Sequence, residues 1–272
     1  MLTTRVALVD QSGKIPFEQL AHAAAAMGLQ VQRDLGPIWN IQATVSALAS
    51  PNAIPAGVWP VFIVAELPPT EGGFHMTQHN QPYAKVAVGP GWTIAASHEV
   101  LEMLVDPSGS RLVASTAIEV SGKNIRDANG KFEYLVEICD PSEADPFSYT
   151  IDDVQVSDFY TPHFYDPVAS AGVRYSFTGK VTKPRQVLSG GYLSWLDSAK
   201  NVMQQLRNFE QPQILNLGAV PKGMSLRGFV DSKHVPTQKL SALPETTASL
   251  AQARDRGTQL RSWANARAKF YP

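Results

Sequence analysis

Ser97-His98-Glu99-Val100-Leu101-Glu102-Met103-Leu104-Val105-Asp106-Pro107 is the stretch on which the reading of this chain turns. Its apolar residues, with Ile94 ahead of them, predict a helix over residues 92–105. Pro107 closes it, because the residue before a proline is pushed out of the α region. On that helix His98 and Glu102 stand at i and i+4, so imidazole and carboxylate project from the same face one turn apart. Two such groups can grip one metal ion from one helix. Glu99 sits about 100° further round, where it can reach a water at the metal without being a ligand. In the zinc-protease pattern H-E-x-x-H the Glu is the general base and both histidines are ligands. Here a carboxylate replaces the second histidine. A helix that is otherwise strongly apolar rarely carries two carboxylates and a histidine unless they are paired or bound.

Outward from this helix, residues 1–125 alternate strand-like and helix-like stretches. Residues 5–9 read as a strand. Phe17, Leu20, Ala21, Ala24 and Met27 recur at helical spacing, and Gly28 supplies a stop. Residues 31–35 read as a second strand and 39–48 as a second helix. Residues 58–67 look like a buried central strand, and 83–88 like another short one. Beyond Pro107 the pattern turns to β: residues 112–120, 132–138, 149–159 with a turn at Asp152-Asp153, and 173–181. Residues 192–209 read as a helix with Leu193, Leu196, Met203 and Leu206 on one side. Residues 211–244 read as an extended connector and 246–270 as a further helix with a narrow apolar stripe.

Composition sets the bounds. The chain has 272 residues with 44% hydrophobic and 17% charged residues, which excludes a largely disordered protein. A lone Cys139 excludes an intrachain disulfide framework and fits a reducing compartment. No apolar run reaches membrane-span length, and the first residues lack a signal-peptide pattern, so the expectation is a soluble, cytoplasmic protein. The net charge of −1 conceals an asymmetry. Residues 1–195 carry 12 Lys+Arg against 19 Asp+Glu, or −7, and residues 196–272 carry 11 against 5, or +6. This predicts two regions: a metal-binding catalytic domain over 1–195 and a basic helical and extended C-terminal region over 196–272.

Between Glu133 and Asp166 there are nine acidic residues and no Lys or Arg. The centre of this cluster is Val136-Glu137-Ile138-Cys139-Asp140-Pro141-Ser142-Glu143. It leaves a strand and turns at the proline, a rigid place from which to deliver a third ligand.

The ordered residues His98-Glu99-x-x-Glu102-x-x-x-Asp106-Pro107 and Glu137-Ile138-x-Asp140 resemble a family of bacterial and phage zincin-like metallopeptidases. Further matches are Arg33-Asp34, Ile38-Trp39, Gly73-Phe74-His75, Pro82-Tyr83-Ala84 and Val156-Ser157-Asp158-Phe159. The likeness spans roughly residues 3–195, leaves the basic region uncovered, and departs at Cys139, where the family commonly has glycine. It implies an α+β zincin-like fold, with a twisted mixed sheet beside the active-site helix. His98 and Glu102 would be metal ligands and Glu99 the base. Asp140 is the preferred third ligand and Glu137 its close competitor. His75, ahead of the strand that would be the edge strand of such a fold, could be a ligand, an oxyanion-stabilising donor or neither. Zinc is the expected ion, although carboxylate ligands also suit manganese or iron.

The implied reaction is peptide hydrolysis, in which the ion acidifies water and polarises a carbonyl while Glu99 moves the proton to the leaving amine. Tyr149 and Tyr160 are candidate oxyanion donors, with aromatic packing the alternative role. A different class of function is a non-catalytic descendant whose metal is structural and which serves in protein interaction or assembly. The basic residues of 196–272 are scattered, which argues against nucleic acid. They suit self-association, or a wrap across the acidic cleft that would act as a built-in inhibitor.

Overall fold

The computed structural model describes residues 3–67, 72–78 and 81–233. In chain order the elements are β1 (Thr4–Asp10), α1 (Phe17–Leu29), α2 (Gly36–Trp39), β2 (Ala43–Leu48), β3 (Val58–Val64), β4 (Gly73–Gln78), β5 (Gln81–Ala87) and α3 (Trp92–Val105). There follow β6 (Leu112–Ser121), β7 (Asn124–Leu135), β8 (Tyr149–Ile151), β9 (Val154–Val156), β10 (Gly191–Asp197), β11 (Val202–Asn208), β12 (Pro212–Gly218) and α4 (Leu226–Asp231).

The first sheet has the order β2-β1-β3-β5-β4. Its first four strands run parallel, and β4 is added antiparallel at the edge. The helical segment after β1 is the crossover that its parallel pairing with β2 requires, whereas α3 leads from β5 into the second sheet. Helix α3 packs against β5, β4 and β9. All of its residues except Ala95 are buried, so its polar side chains face protein rather than water. The second sheet, β12-β11-β10-β7-β6, is antiparallel throughout. One apolar core runs from Val6, Leu8 and Ile63 through Val100 and Leu101 to Tyr134 and Trp195, joining the two sheets. The architecture is α+β. No helix among the described residues is long and apolar enough to cross a membrane.

The structure reproduces the helix over 92–105 and the turn at Asp152-Asp153, and it places strands Val58–Val64 and Leu112–Ser121 where strands over 58–67 and 112–120 are expected. Both of those aspartates have positive φ, 48° and 63°, as a two-residue hairpin turn demands. Several elements differ. Gly28 does not stop α1: the chain stays helical through a π-helical segment, Gln30–Leu35, so residues 31–35 are not a strand. The helix expected over 39–48 is instead a break at Asn40 (φ 55°) followed by β2, whose Val45 pairs with Val6. Residues 173–181 form no strand, only a bridge between Ser176 and Tyr160.

The helix read over 192–209 is the hairpin β10–β11. Leu193 lies opposite Leu206 and Leu196 opposite Met203, so the four residues of the supposed helical stripe are two cross-strand pairs. The line drawn at residue 195 falls inside β10, and strands from both sides of it share one sheet. The connector expected over 211–244 holds β12 and α4 in its described part, and the helix expected over 246–270 lies outside the described residues.

Candidate metal centre

Helix α3 starts after Gly91 and ends at Asp106, whose carboxylate accepts from the Arg111 backbone N–H at 2.6 Å and from Ser108 Oγ at 2.9 Å. Near its middle, Ser97 Oγ accepts from Ser157 N–H at 2.6 Å, which pins the helix to the chain just after β9. These ties fix the rotation of α3, and with it the directions of His98, Glu99 and Glu102.

The turn after β7 faces the same surface of the helix. Cys139 N–H donates to Glu102 Oε1 at 3.0 Å, so helix and turn are joined through a ligand candidate. Ile138 O accepts from Tyr160 N–H, and Pro141 O from Leu188 N–H, both at 2.8 Å, which holds Asp140 between two loops. Asp140 Oδ1 lies 3.1 Å from His98 Nε2, and Glu102 Oε2 lies 3.1 Å from the same nitrogen. Neither approach has the angle of a hydrogen bond: His98 Nε2 and Asp140 Oδ1 are both buried without a hydrogen-bond partner. Donor atoms of a tetrahedral zinc site, about 2.0–2.2 Å from the ion, stand roughly 3.3–3.6 Å apart. Among the described residues, sets whose ligand atoms all lie within 4.8 Å of one another are His98/Glu102/Cys139, His98/Asp140/Glu143, Glu102/Glu137/Asp140 and His75/Glu99/Glu102. His98, Glu102 and Asp140 recur across them and have the donor chemistry a divalent ion takes.

Glu99 points to the other side, towards β4. Its Oε2 is 3.2 Å from His75 Nδ1. Gly73 makes that approach feasible, since a Cβ there would stand 2.9 Å from Glu99 Oε1. His75 belongs to β4, and β4 rather than β5 (which holds residues 83–87) is the edge of the sheet. Glu137 lies further from the histidines, its Oε2 3.9 Å from His75 Nε2.

The sequence reading had no way to single out Arg227. This residue of α4 reaches into the cluster, its Nη1 2.8 Å from Glu137 Oε2, 3.1 Å from Glu102 Oε2 and 3.4 Å from Asp140 Oδ2. Its Nε lies 2.8 Å from Asp231 Oδ1. The opposed charges of the two regions gave the sign of this contact, but nothing in the pattern named the residue.

Burial opposes ionisation here, and neighbours decide the outcome. Burial alone would lower the His98 pKa, yet Glu102, with Asp140 behind it, holds it well above the ordinary value. Glu102 is held well below the carboxylate range because His98 and Arg227 outweigh its burial. Burial drives Glu137 well above its usual value against the pull of Arg227. Burial raises Asp140 to about 6, Asp231 to about 7 and Glu143 to about 8. Burial also pushes the Cys139 thiol well up, and its Sγ lies 3.9 Å from His98 O. Cys139 Sγ also lies in a set with His98 and Glu102 whose ligand atoms are all within 4.8 Å of one another.

Tyr149 and Tyr160 stand elsewhere. Tyr149 donates to Asp34 Oδ2 at 2.9 Å, and Tyr160 pairs its hydroxyl with that of Tyr165 and stacks on Phe164. Neither hydroxyl makes a hydrogen bond to the cluster, although Tyr160 N–H is bonded to Ile138 O in the turn that carries Asp140. Arg33-Asp34 and Trp39 belong to the same scaffold: Asp34 accepts from Arg33 and Tyr149, and Trp39 Nε1 donates to Tyr160 O at 3.0 Å. No family model, curated protein or solved structure matches this chain.

Proposed function

We propose that this chain is a metal-dependent hydrolase of the zincin type, acting on peptide bonds, with His98, Glu102 and Asp140 holding a zinc ion. The observation that carries the reading is that Glu102 Oε2 and Asp140 Oδ1 each lie 3.1 Å from the buried His98 Nε2, in a region where several overlapping sets of His, Glu, Asp and Cys ligand atoms lie within 4.8 Å of one another. The facing imidazole and carboxylates already pair as ions at 3.1 Å, and a divalent ion would replace the imidazole's proton as the positive charge among them. Two further features support the zincin comparison. The helix carrying the ligands lies beside a mostly parallel sheet, and that sheet ends in an antiparallel edge strand, where an extended peptide can add as a further strand.

A divalent ion held there supplies Lewis acidity and lowers the pKa of water. Glu99, next along the helix from His98, receives the proton and returns it to the departing amine. His75 Nδ1 lies 3.2 Å from Glu99 Oε2 and 3.9 Å from Glu102 Oε2, closer to the base than to the ligand oxygen, so its role in this reading is to position Glu99. With three side chains as ligands, catalysis would need a fourth position open to water or substrate, the condition that separates a catalytic from a closed site.

The test combines elemental analysis with turnover of a peptide library. About one zinc per chain is expected in the wild type and in Glu99→Gln, and loss of zinc in His98→Ala. Hydrolysis is expected in the wild type alone, with Glu99→Gln lowered by about 10²–10⁴. Zinc without any hydrolysis would leave a structural metal site, and no zinc would end the reading altogether.

A further inference from the structure

The carboxylates Glu102, Glu137 and Asp140 surround Arg227 Nη1 from three sides, and two of them are the proposed metal holders. We propose that Glu102 and Asp140 take Arg227 and a divalent metal ion in turn, with Glu137 serving Arg227 alone, so that α4 acts as an internal plug of the metal centre. The inference rests on the metal reading above.

Four features point the same way. First, the contact is not a chance surface pair: Arg227, Glu102, Glu137 and Asp140 are all buried, so the guanidinium is committed to this place. Second, Arg227 Nη1 and His98 Nε2 both lie 3.1 Å from the one oxygen Glu102 Oε2. An ion drawing on that oxygen and on Asp140 meets a positive charge already among the same carboxylates, and two cations so close repel strongly where water is excluded. Third, apart from the ion pairs of Arg227 and a bond from Leu226 N–H to Ser110 Oγ at 3.2 Å, α4 is a short element with few anchors. It has six residues, an N-cap bond from Gly228 N–H to Ser225 Oγ at 3.1 Å, and a bond from Arg227 N–H to Gly109 O at 2.8 Å. Its apolar residues Phe229 and Val230 belong to a small cluster with Leu135 and Met203, separate from the main core. An element of that kind belongs to the low-stability end of a structure. Fourth, α4 packs against β4, the edge strand beside Glu99. The same helix that brings the competing charge therefore also covers the approach to the base.

The release of α4 then opens two things together: the carboxylates to the ion and the edge strand to a peptide. Gly109 is the point of leverage. Its φ is +60°, and a Cβ there would stand 2.9 Å from Arg227 Cβ, so Gly109→Ala displaces α4 while leaving every charged group of the cluster intact.

The experiment titrates the chelator-stripped full-length chain with zinc alone, against a competing chromophoric chelator, and follows amide exchange over Leu226–Asp231 in parallel. Arg227→Met and Gly109→Ala are each expected to bind zinc about tenfold or more tightly than the wild type, the size of a close buried charge coupling. In the wild type, saturating zinc is expected to speed exchange across α4. His98→Ala should abolish binding in both backgrounds. Equal zinc affinity in the wild type and both variants, with His98 still required and α4 exchange unchanged, would overturn the plug and leave the metal centre standing. Weaker binding in Arg227→Met would overturn it too, making Arg227 a companion charge of the ion. Failure of every form to bind zinc would remove the metal reading, and the plug with it.

Discussion

His98 Nε2 and Asp140 Oδ1 lie 3.1 Å apart with neither atom hydrogen-bonded, although one belongs to α3 and the other to the turn after β7. Glu137, three residues earlier on the same segment, turns its carboxylate towards Arg227 instead. The two acids that compete for the third ligand position therefore stand in different roles. Asp140→Asn should weaken zinc binding by about 10²-fold or more, and Glu137→Gln should weaken it much less. Both are isosteric changes, so packing is preserved. Direct titration of the two purified variants decides the point, and equal losses would mean that Glu137 shares the ion.

Gly73 separates the base from the ligands. A methyl group at this position meets Glu99 Oε1 at 2.9 Å and Glu99 Cγ at 3.0 Å, yet no ligand candidate is among its neighbours. Gly73→Ala is expected to swing Glu99 off the His75 ring and to lower kcat by about 10- to 100-fold, the usual effect of misplacing a catalytic group by about an ångström. Zinc content should stay at the wild-type level. A fall in zinc content would place Glu99 among the ligands.

Much of this centre is legible in the chain because it depends on local periodicity. The i,i+4 relation of His98 and Glu102 follows from helix geometry, and the turn Cys139-Asp140-Pro141 follows from a strand run meeting a proline. The convergence of Asp140 on His98 is a tertiary fact, supported in advance only by a cluster of acids without cations. The reading failed where one pattern serves two structures. Leu193, Leu196, Met203 and Leu206 fit a helical stripe, but the same spacing sets Leu193 against Leu206 and Leu196 against Met203 around a hairpin. Residues 31–35 failed for another reason. Gln30, whose Nε2 donates to Ser157 O at 2.9 Å, and Asp34, which accepts from Tyr149, are anchored by partners more than a hundred positions away. Local β-propensity is overridden by such contacts. Arg227 was illegible for the same reason: one arginine among eleven basic residues of its region carries no local mark.

Ser97 ties the ligand helix to the rest of the molecule. Its Oγ accepts from Ser157 N–H at 2.6 Å and donates to Ile94 O at 3.0 Å, in a fully buried setting. Ser97→Ala leaves the Ser157 amide without a partner, and a buried orphan donor costs about 1–3 kcal/mol. Urea unfolding should show a loss of that size. Zinc affinity should fall as well, because α3 loses the bond that sets its rotation. Unchanged stability would mean that the Ser157 amide finds another acceptor.

Asp158 offers a test of the scaffold that is independent of the metal. Its carboxylate accepts from Thr178 N–H at 2.9 Å and from Thr178 Oγ1 at 2.8 Å, yet burial still holds its pKa above the ordinary value. In the unfolded chain the group ionises near the usual value of about 3.9. Between that value and the raised folded one, the folded state binds more protons than the unfolded state, so stability must fall as pH rises through the window and level off above it. Asp158→Asn cannot ionise and lacks this contribution. The wild-type unfolding free energy, minus that of the variant, should therefore decrease as the pH rises from about 4 and then become constant. Urea titrations of both proteins, run with chelator at closely spaced pH values, give that difference directly. A difference that rises with pH would mean that Thr178 lowers the Asp158 pKa by more than burial raises it.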